Sequence, residues 1–203
     1  MSIINISDIS VLNNPASFTD AYVFKITFEC MAPLEDDLEW KLTYVGSAES
    51  ESFDQELDTC MVGPVPVGIN SFEFEAAAPS PDRIPSSDLV GVTVILLTCS
   101  YNDQEFVRIG YYVNTEYGDA ALKAQHESAL EEDAAARGII APDPSKHIDK
   151  LSRSVLAEKP RVTKFNIKWD SATSVPSGAS QLHPQPEVLG DISAQPPMPF
   201  SAS

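Results

Sequence analysis

A period of two in side-chain character, repeated along the first two thirds of the chain, restricts the fold more than any other feature. Tyr22, Phe24, Ile26, Phe28 and Cys30 alternate with Val23, Lys25, Thr27 and Glu29. Leu38, Trp40, Leu42 and Tyr44 alternate in the same way with Glu39, Lys41, Thr43 and Val45. This is the pattern of a strand with one face buried. Phe72, Phe74 and Ala76 repeat it in shorter form before a proline-rich stretch over 79–85. Further runs predict strands over 3–12, 56–62, 90–99, 105–114 and 161–169. Short strands separated by turn residues predict an all-β, antiparallel sandwich.

Two segments carry helical signals instead. Residues 117–137 are rich in Ala, Glu and Leu and run up to Gly138, which predicts a helix closed by a C′ glycine. Its apolar positions are mostly alanines, so it is expected outside the core. Residues 145–158 place Ile148, Leu151 and Val155 on one helical face, with Ser145 as N-cap and Pro160 as the stop. After Trp169 the composition changes. Residues 170–203 contain no Lys or Arg, one aromatic (Phe200) and many Ser, Pro and Ala. Such a segment buries too little apolar surface to offset its ordering entropy, so 170–203 is expected to be a disordered tail behind a folded core over 1–169.

Charge narrows the function. Thirteen Lys and Arg against 30 Asp and Glu give a formal charge of −17. Nucleic acid is disfavoured as a direct partner, because its phosphates are bound through Lys and Arg. An anionic membrane surface is disfavoured for the same reason, and no stretch approaches the roughly 18 apolar residues of a membrane helix. Met1 to Ile6 lack the basic start of a secretory signal. A basic partner suits the field. Ten acids lie from Glu29 to Asp58 against Lys41 alone, whereas Lys146 to Lys168 hold seven bases against Asp149 and Glu158. Cys30, Cys60 and Cys99 are odd in number and widely spaced in apolar runs, which predicts buried reduced thiols.

Catalytic chemistry finds no support in these residues. His126, His147 and His183 are scattered, the glycines form neither a GxGxxG nor a Walker loop, and no metal-ligand spacing occurs. Asp36 and Asp37 beside Pro33 suit a partner-facing edge better than acid–base work. The expectation is a protein that is not an enzyme and takes no cofactor or metal. The informative segment is Val90-Gly-Val-Thr-Val-Ile-Leu-Leu-Thr98, apolar on both faces. Two apolar faces usually mark a strand buried on both sides, yet a two-layer sandwich buries only one face of each strand. One face is therefore expected to stay open as a binding patch. Arg108 and Tyr112, on the outer side of the neighbouring strand, are residue types that anchor interfaces.

Thr27-Phe-Glu-Cys30, Leu38-Glu-Trp-Lys41, Tyr44-Val-Gly-Ser-Ala-Glu-Ser50, Val62-Gly-Pro-Val-Pro66, Gly91-Val-Thr-Val94, Gly110-Tyr-Tyr-Val-Asn114 and Pro160-Arg-Val-Thr163 occur in one order along the chain. This series closely resembles the anti-silencing-function family of histone chaperones, over residues 1–118 and 146–169. The resemblance implies an immunoglobulin-like β-sandwich that binds one histone H3–H4 dimer, blocks tetramer pairing and passes histones to chromatin-assembly factors. It further implies a monomer acting in the nucleus. For histone H3 it points to Ala48, Glu51, Asp54, Asp88, Val92, Val94, Leu96, Arg108 and Tyr112. For the C-terminal strand of histone H4, added to the last strand of the fold, it points to Leu156, Arg161, Val162 and Thr163, with Ile6 nearby. A separate face for assembly-factor peptides corresponds to Asp36, Asp37, Leu38, Val62 and Phe72. Residues 119–145 depart from the family pattern as a longer, alanine-rich connection, and the tail lacks a long acidic run. An immunoglobulin-like adaptor for some other basic peptide is the alternative.

Overall fold

The computed structural model describes residues 2–169; the expected tail, with His183, lies outside them. Strand β1 (Ile4–Val11) and the two-residue β2 (Ala16–Ser17) precede the alternating segments, which form β3 (Tyr22–Cys30) and β4 (Leu38–Tyr44). The chain continues through β5 (Gln55–Val62), β6 (Gly68–Ala76), β7 (Gly91–Tyr101) and β8 (Gln104–Tyr117). A helix, α1 (Ala120–Ala129), and the strands β9 (Leu151–Val155) and β10 (Arg161–Lys164) complete the described residues. The pairing is antiparallel throughout: β1-β3-β6 in one sheet and β2-β9-β8-β7-β4-β5 in the other, with β10 also paired to β8. This is the sandwich that alternation predicts.

Its core follows from the period of two. Tyr22, Phe24, Ile26, Phe28 and Cys30 of one sheet are buried, as are Leu38, Trp40, Leu42 and Tyr44 of the other, so the two inner faces meet. Trp40 lies between Phe28 and Phe72, with ring centroids 6.2 and 5.6 Å apart. Each large side chain so buried stabilises the fold by about 1.5–3 kcal/mol before entropy is counted. Cys30 and Cys99 are buried thiols as expected, whereas Cys60, on the edge strand β5, is only half-buried.

The segment 145–158 corrects its expectation. It is not a helix. Asp143, rather than Ser145, caps a 3-10 turn at Pro144–Lys146, a second turn follows at Ile148–Lys150, and β9 begins at Leu151. Leu151, Arg153 and Val155 alternate with Ser152 and Ser154, and β8 offers five residues, from Val113 to Tyr117, for them to pair with. Sheet pairing overrides a helical pattern resting on three apolar residues. The strand expected over 161–169 ends at Lys164, after which Trp169 folds back between Tyr101 and Phe106, centroids 5.4 and 5.0 Å away.

The helix expected over 117–137 is shorter. Tyr117 closes β8, Asp119 accepts from the amides of Ala121 and Leu122, and α1 stops at Ala129. Turns continue to Gly138, which takes a positive φ of 69°. There Ile139 N donates to Ala134 O and Gly138 N to Ala135 O, the bonding of a glycine C-cap. The stop signal is correct, and the continuity of the helix is not. No residue of α1 is buried, so the helix does sit outside the core.

One end of the sandwich rests on a buried charge. Arg153, 1% exposed, stacks its guanidinium 3.7 Å above the Tyr22 ring and donates through Nη2 to Ala21 O and Asp20 O. Tyr22 Oη is buried without a hydrogen-bond partner, and burial pushes its pKa up to about 12 against the pull of Arg153. Two variants separate these contributions. Arg153→Met keeps the apolar stem but removes the stack on Tyr22 and the bonds to Asp20 O and to Ala21 O, which retains Asn13 Nδ2 as a donor, and is expected to lower the unfolding free energy by about 1–3 kcal/mol. Tyr22→Phe keeps the stack and removes an unsatisfied hydroxyl, and is expected to change stability by less than about 0.5 kcal/mol or to raise it. Urea unfolding followed by fluorescence checks both.

Candidate functional site

Strand β7 shows what its two apolar faces do. Ile95, Leu97, Cys99 and Tyr101 are buried in the core. Val92, Val94 and Leu96 point the other way, where no second layer among the described residues covers them, and Val92 is 67% exposed. In register on β8, Asn114 lies opposite Val92, Tyr112 opposite Val94, Gly110 opposite Leu96 and Arg108 opposite Thr98. Val94, Leu96, Gly110, Tyr112 and Arg108, with Arg161 and Thr163 of β10, line a shallow depression of about 260 Å³. Its floor exists because Gly110 has no side chain. A Cβ there would stand 3.5 Å from Leu96 and 3.8 Å from Val94.

Carboxylates gather at the Val92 end. The chain leaving β4 runs beside β7, where Val45 N donates to Val94 O and Thr93 Oγ1 donates to Val45 O. Gly46 then passes so close to Phe53 that a Cβ would fall 2.2 Å from the Phe53 carbonyl oxygen, so only glycine fits. The turn that follows exposes Ala48 and Glu51 and is capped by Ser50, whose Oγ accepts from Ser52 N. Asp54 ends it, with Oδ1 buried and unpartnered. Burial, reinforced by Glu51, raises the Asp54 pKa above the usual carboxylate value. Asp88 stands in the 3-10 turn before β7, half-buried. The opposite end carries Arg108, whose Nε and Nη2 donate to Glu105 at 2.7 and 3.0 Å.

A second feature adjoins the first. Strand β10 pairs with β8 from Arg161 opposite Gly110 to Lys164 opposite Val107, all four residues are exposed, and no strand among the described residues covers its outer edge. Arg161 and Thr163 face the depression. Val162 faces the other way, into a groove of about 430 Å³ shared with Ile6, Ile9, Val107, Ile109 and Tyr111. Leu156, 42% exposed, lies at the crossing from β9, its amide donating to Tyr112 O. Ile6, Leu156, Arg161, Val162 and Thr163 thus gather along one border of the sandwich.

Asp36 and Asp37 lie elsewhere, on a depression of about 410 Å³ with Glu35, Glu39, Asp103 and the exposed Met61. Val62 and Phe72 are half-buried nearby, while Leu38 is fully buried and can only support this face from beneath. Met61 and Gly110 join these surfaces although neither is among the candidate binding residues. A glycine inside a strand is the signal for Gly110; an apolar residue breaking the acidic edge of β5 is the signal for Met61. His126 rests against Tyr117, and His147 links two 3-10 turns. Among the described residues no group of His, Cys, Asp and Glu could hold a metal ion, and no helix is long and apolar enough to cross a membrane.

Comparison with known proteins gives a single answer. A family model described as ASF1 like histone chaperone matches residues 1–170. "Histone chaperone ASF1" of Mycosarcoma maydis is 56% identical over 181 residues, 89% of this chain and 95% of that protein. The protein of the same name from Candida albicans is 56% identical, covering 92% of this chain and 68% of its own length. "Histone chaperone asf-1" of Neurospora crassa is 52% identical, covering 94% and 65%.

The environment of Asp54 generates a prediction about stability. A carboxyl whose folded pKa is raised carries a charge that the fold resists. Its cost is therefore present at neutral pH and disappears as pH falls through the folded pKa toward the unfolded one. Asp54→Asn is expected to be more stable than the wild type at pH 7, with the gap closing in acid. Thermal unfolding at a series of pH values measures the gap, and one that widens in acid would be the wrong sign.

Proposed function

Since the chain belongs to the ASF1-like histone chaperone family, we propose that it binds one histone H3–H4 dimer on the open face of β7 and β8. The observation that carries this reading is that face itself: Val92, Val94 and Leu96 uncovered beside Tyr112. Carboxylates stand at one end of it and Arg108 at the other. Docked there, the protein covers the H3 surface through which two dimers pair, and so keeps dimers apart. The outer edge of β10 receives the C-terminal strand of H4 by β-augmentation, with Val162, Leu156 and Ile6 beside it. The acidic depression at Asp36 and Asp37 takes basic peptides of chromatin-assembly factors, replication-coupled and replication-independent, to which histones are passed. The protein acts in the nucleus, as a monomer, without catalysis or cofactor.

The division of labour is physical. Apolar burial at Val94 and Leu96 supplies roughly 25 cal/mol per Å² before association costs. Glu51, Asp54 and Asp88 steer a basic partner and reject acidic ones. Of the 30 acids, those around Asp36 stand on a different face and act on a different partner.

Mixing the protein with H3–H4 and measuring mass by light scattering is expected to give a stable 1:1:1 species; no complex at physiological salt would overturn the reading. Val94→Arg places an unpaired charge against a basic partner and is expected to cost about 3–5 kcal/mol, in practice abolishing histone binding. Near-native affinity of the folded variant in calorimetry would remove Val94 from the interface. Asp36→Lys with Asp37→Lys is expected to weaken assembly-factor peptides at least tenfold, roughly 1.4 kcal/mol, while histones stay bound. Loss of both partners together would refute two separate faces.

A further inference from the structure

Glu105 and Arg108 are three residues apart on β8, a spacing that puts side chains on opposite faces of a regular strand. They nevertheless meet on the open face. The register between β7 and β8 shifts there, Cys99 facing Val107 but Ser100 facing Glu105, so that Phe106 is an extra residue. Phe106 and Val107 are consequently both buried, and Glu105 is turned to the side of Arg108. Bulges re-aim side chains in this way. The same bulge fixes a third group, because Phe106 O accepts from Phe165 N and the Phe165 ring stands 5.8 Å from the Arg108 guanidinium.

Stability gives no reason for this arrangement. The Arg108 and Glu105 side chains are 48% and 29% exposed, and exposed ion pairs contribute little to folding. Function gives one. On a protein that attracts a basic partner, a bare Arg on the docking face would repel it. Paired to Glu105, Arg108 presents no net charge and keeps one fixed orientation. Nη1, which does not bond Glu105, is left to donate.

We propose that Glu105 is a positioning residue. It holds Arg108 at the foot of the open face as an oriented donor for a carboxylate or carbonyl oxygen of the docked partner, and cancels the charge that would oppose docking. The proposal rests on histone docking at this face.

The test is a double-mutant cycle on the full chain with H3–H4, comparing wild type, Glu105→Ala, Arg108→Ala and the double variant. Pre-organisation is expected to make Glu105→Ala weaken binding about tenfold, with little change in melting temperature. The same change in the Arg108→Ala background is expected to have no further effect. Glu105→Gln, which retains an acceptor, is expected to restore part of the loss. In the free protein, the Arg108 Nε–H resonance is expected to exchange slowly with water, and rapidly in Glu105→Ala. Equal losses from Glu105→Ala in both backgrounds, no loss in either, or unchanged Nε–H exchange would each overturn the positioning role while leaving histone docking intact. A wild type that binds no H3–H4 would remove the docking premise itself, an outcome visible before the cycle begins.

Discussion

A sheet has two faces, and here the larger sheet has a partner for only one of them. Strands β1, β3 and β6 cover the inner side of the larger sheet, and among the described residues no layer meets its outer side. In most sandwiches that outer side is polar, and alternation along each strand resolves inside from outside. β4 obeys the rule, with Glu39, Lys41 and Thr43 outward. β7 breaks it. Val92, Val94 and Leu96 stay apolar on the side turned to solvent, although polar residues at those positions would preserve every core contact of Ile95, Leu97 and Cys99. Apolar exposure that the fold does not need is what marks this face as the candidate docking surface.

The length of β8 organises everything around that face. Fourteen residues exceed what one neighbour on its outer side covers, so β9 takes Val113 to Tyr117 and β10 takes Val107 to Gly110. Between them the chain leaves the sheet and returns, which places Leu156 at the border and leaves the outer edge of β10 without a strand partner among the described residues. The open face, the free strand edge and the bulge at Phe106 thus all lie along one long strand. Gly110 sits at their meeting point, and its missing side chain makes room between Leu96 and Arg161.

The alternating strands were legible because each inner residue is apolar and each outer one is polar or small. The open face was legible for the opposite reason, since a two-sided apolar run contradicts a two-layer fold. β9 was not legible. Leu151 and Val155 lie four apart, which suits a helix face, and also an even number apart, which suits a strand face; only the unpaired length of β8 decides. Arg153 hid for another reason, because its burial depends on Tyr22 lying beneath it, 131 residues earlier in the sequence. Of the residues drawn from the family resemblance, Leu38 is instructive. Alternation already turned it inward, and inward it is, so any part it has in a docking face is support rather than contact. The Glu105–Arg108 pair was beyond reach, since their spacing separates them unless a bulge intervenes, and nothing in the local sequence announces one.

Leaving an apolar face and a strand edge uncovered invites a second danger, pairing with another copy of the same chain. The net charge of −17 answers it without closing either surface. Two copies approaching one another carry the same net charge, and that repulsion opposes the encounter before the apolar faces can meet. A basic partner meets the same field with opposite sign. Shape and apolarity alone do not make this distinction, because a valine strand fits a copy of itself as well as it fits anything else. The acids around the face therefore select rather than hold. They make contact between two copies at Val92, Val94 and Leu96 less favourable than contact with a chain of opposite charge.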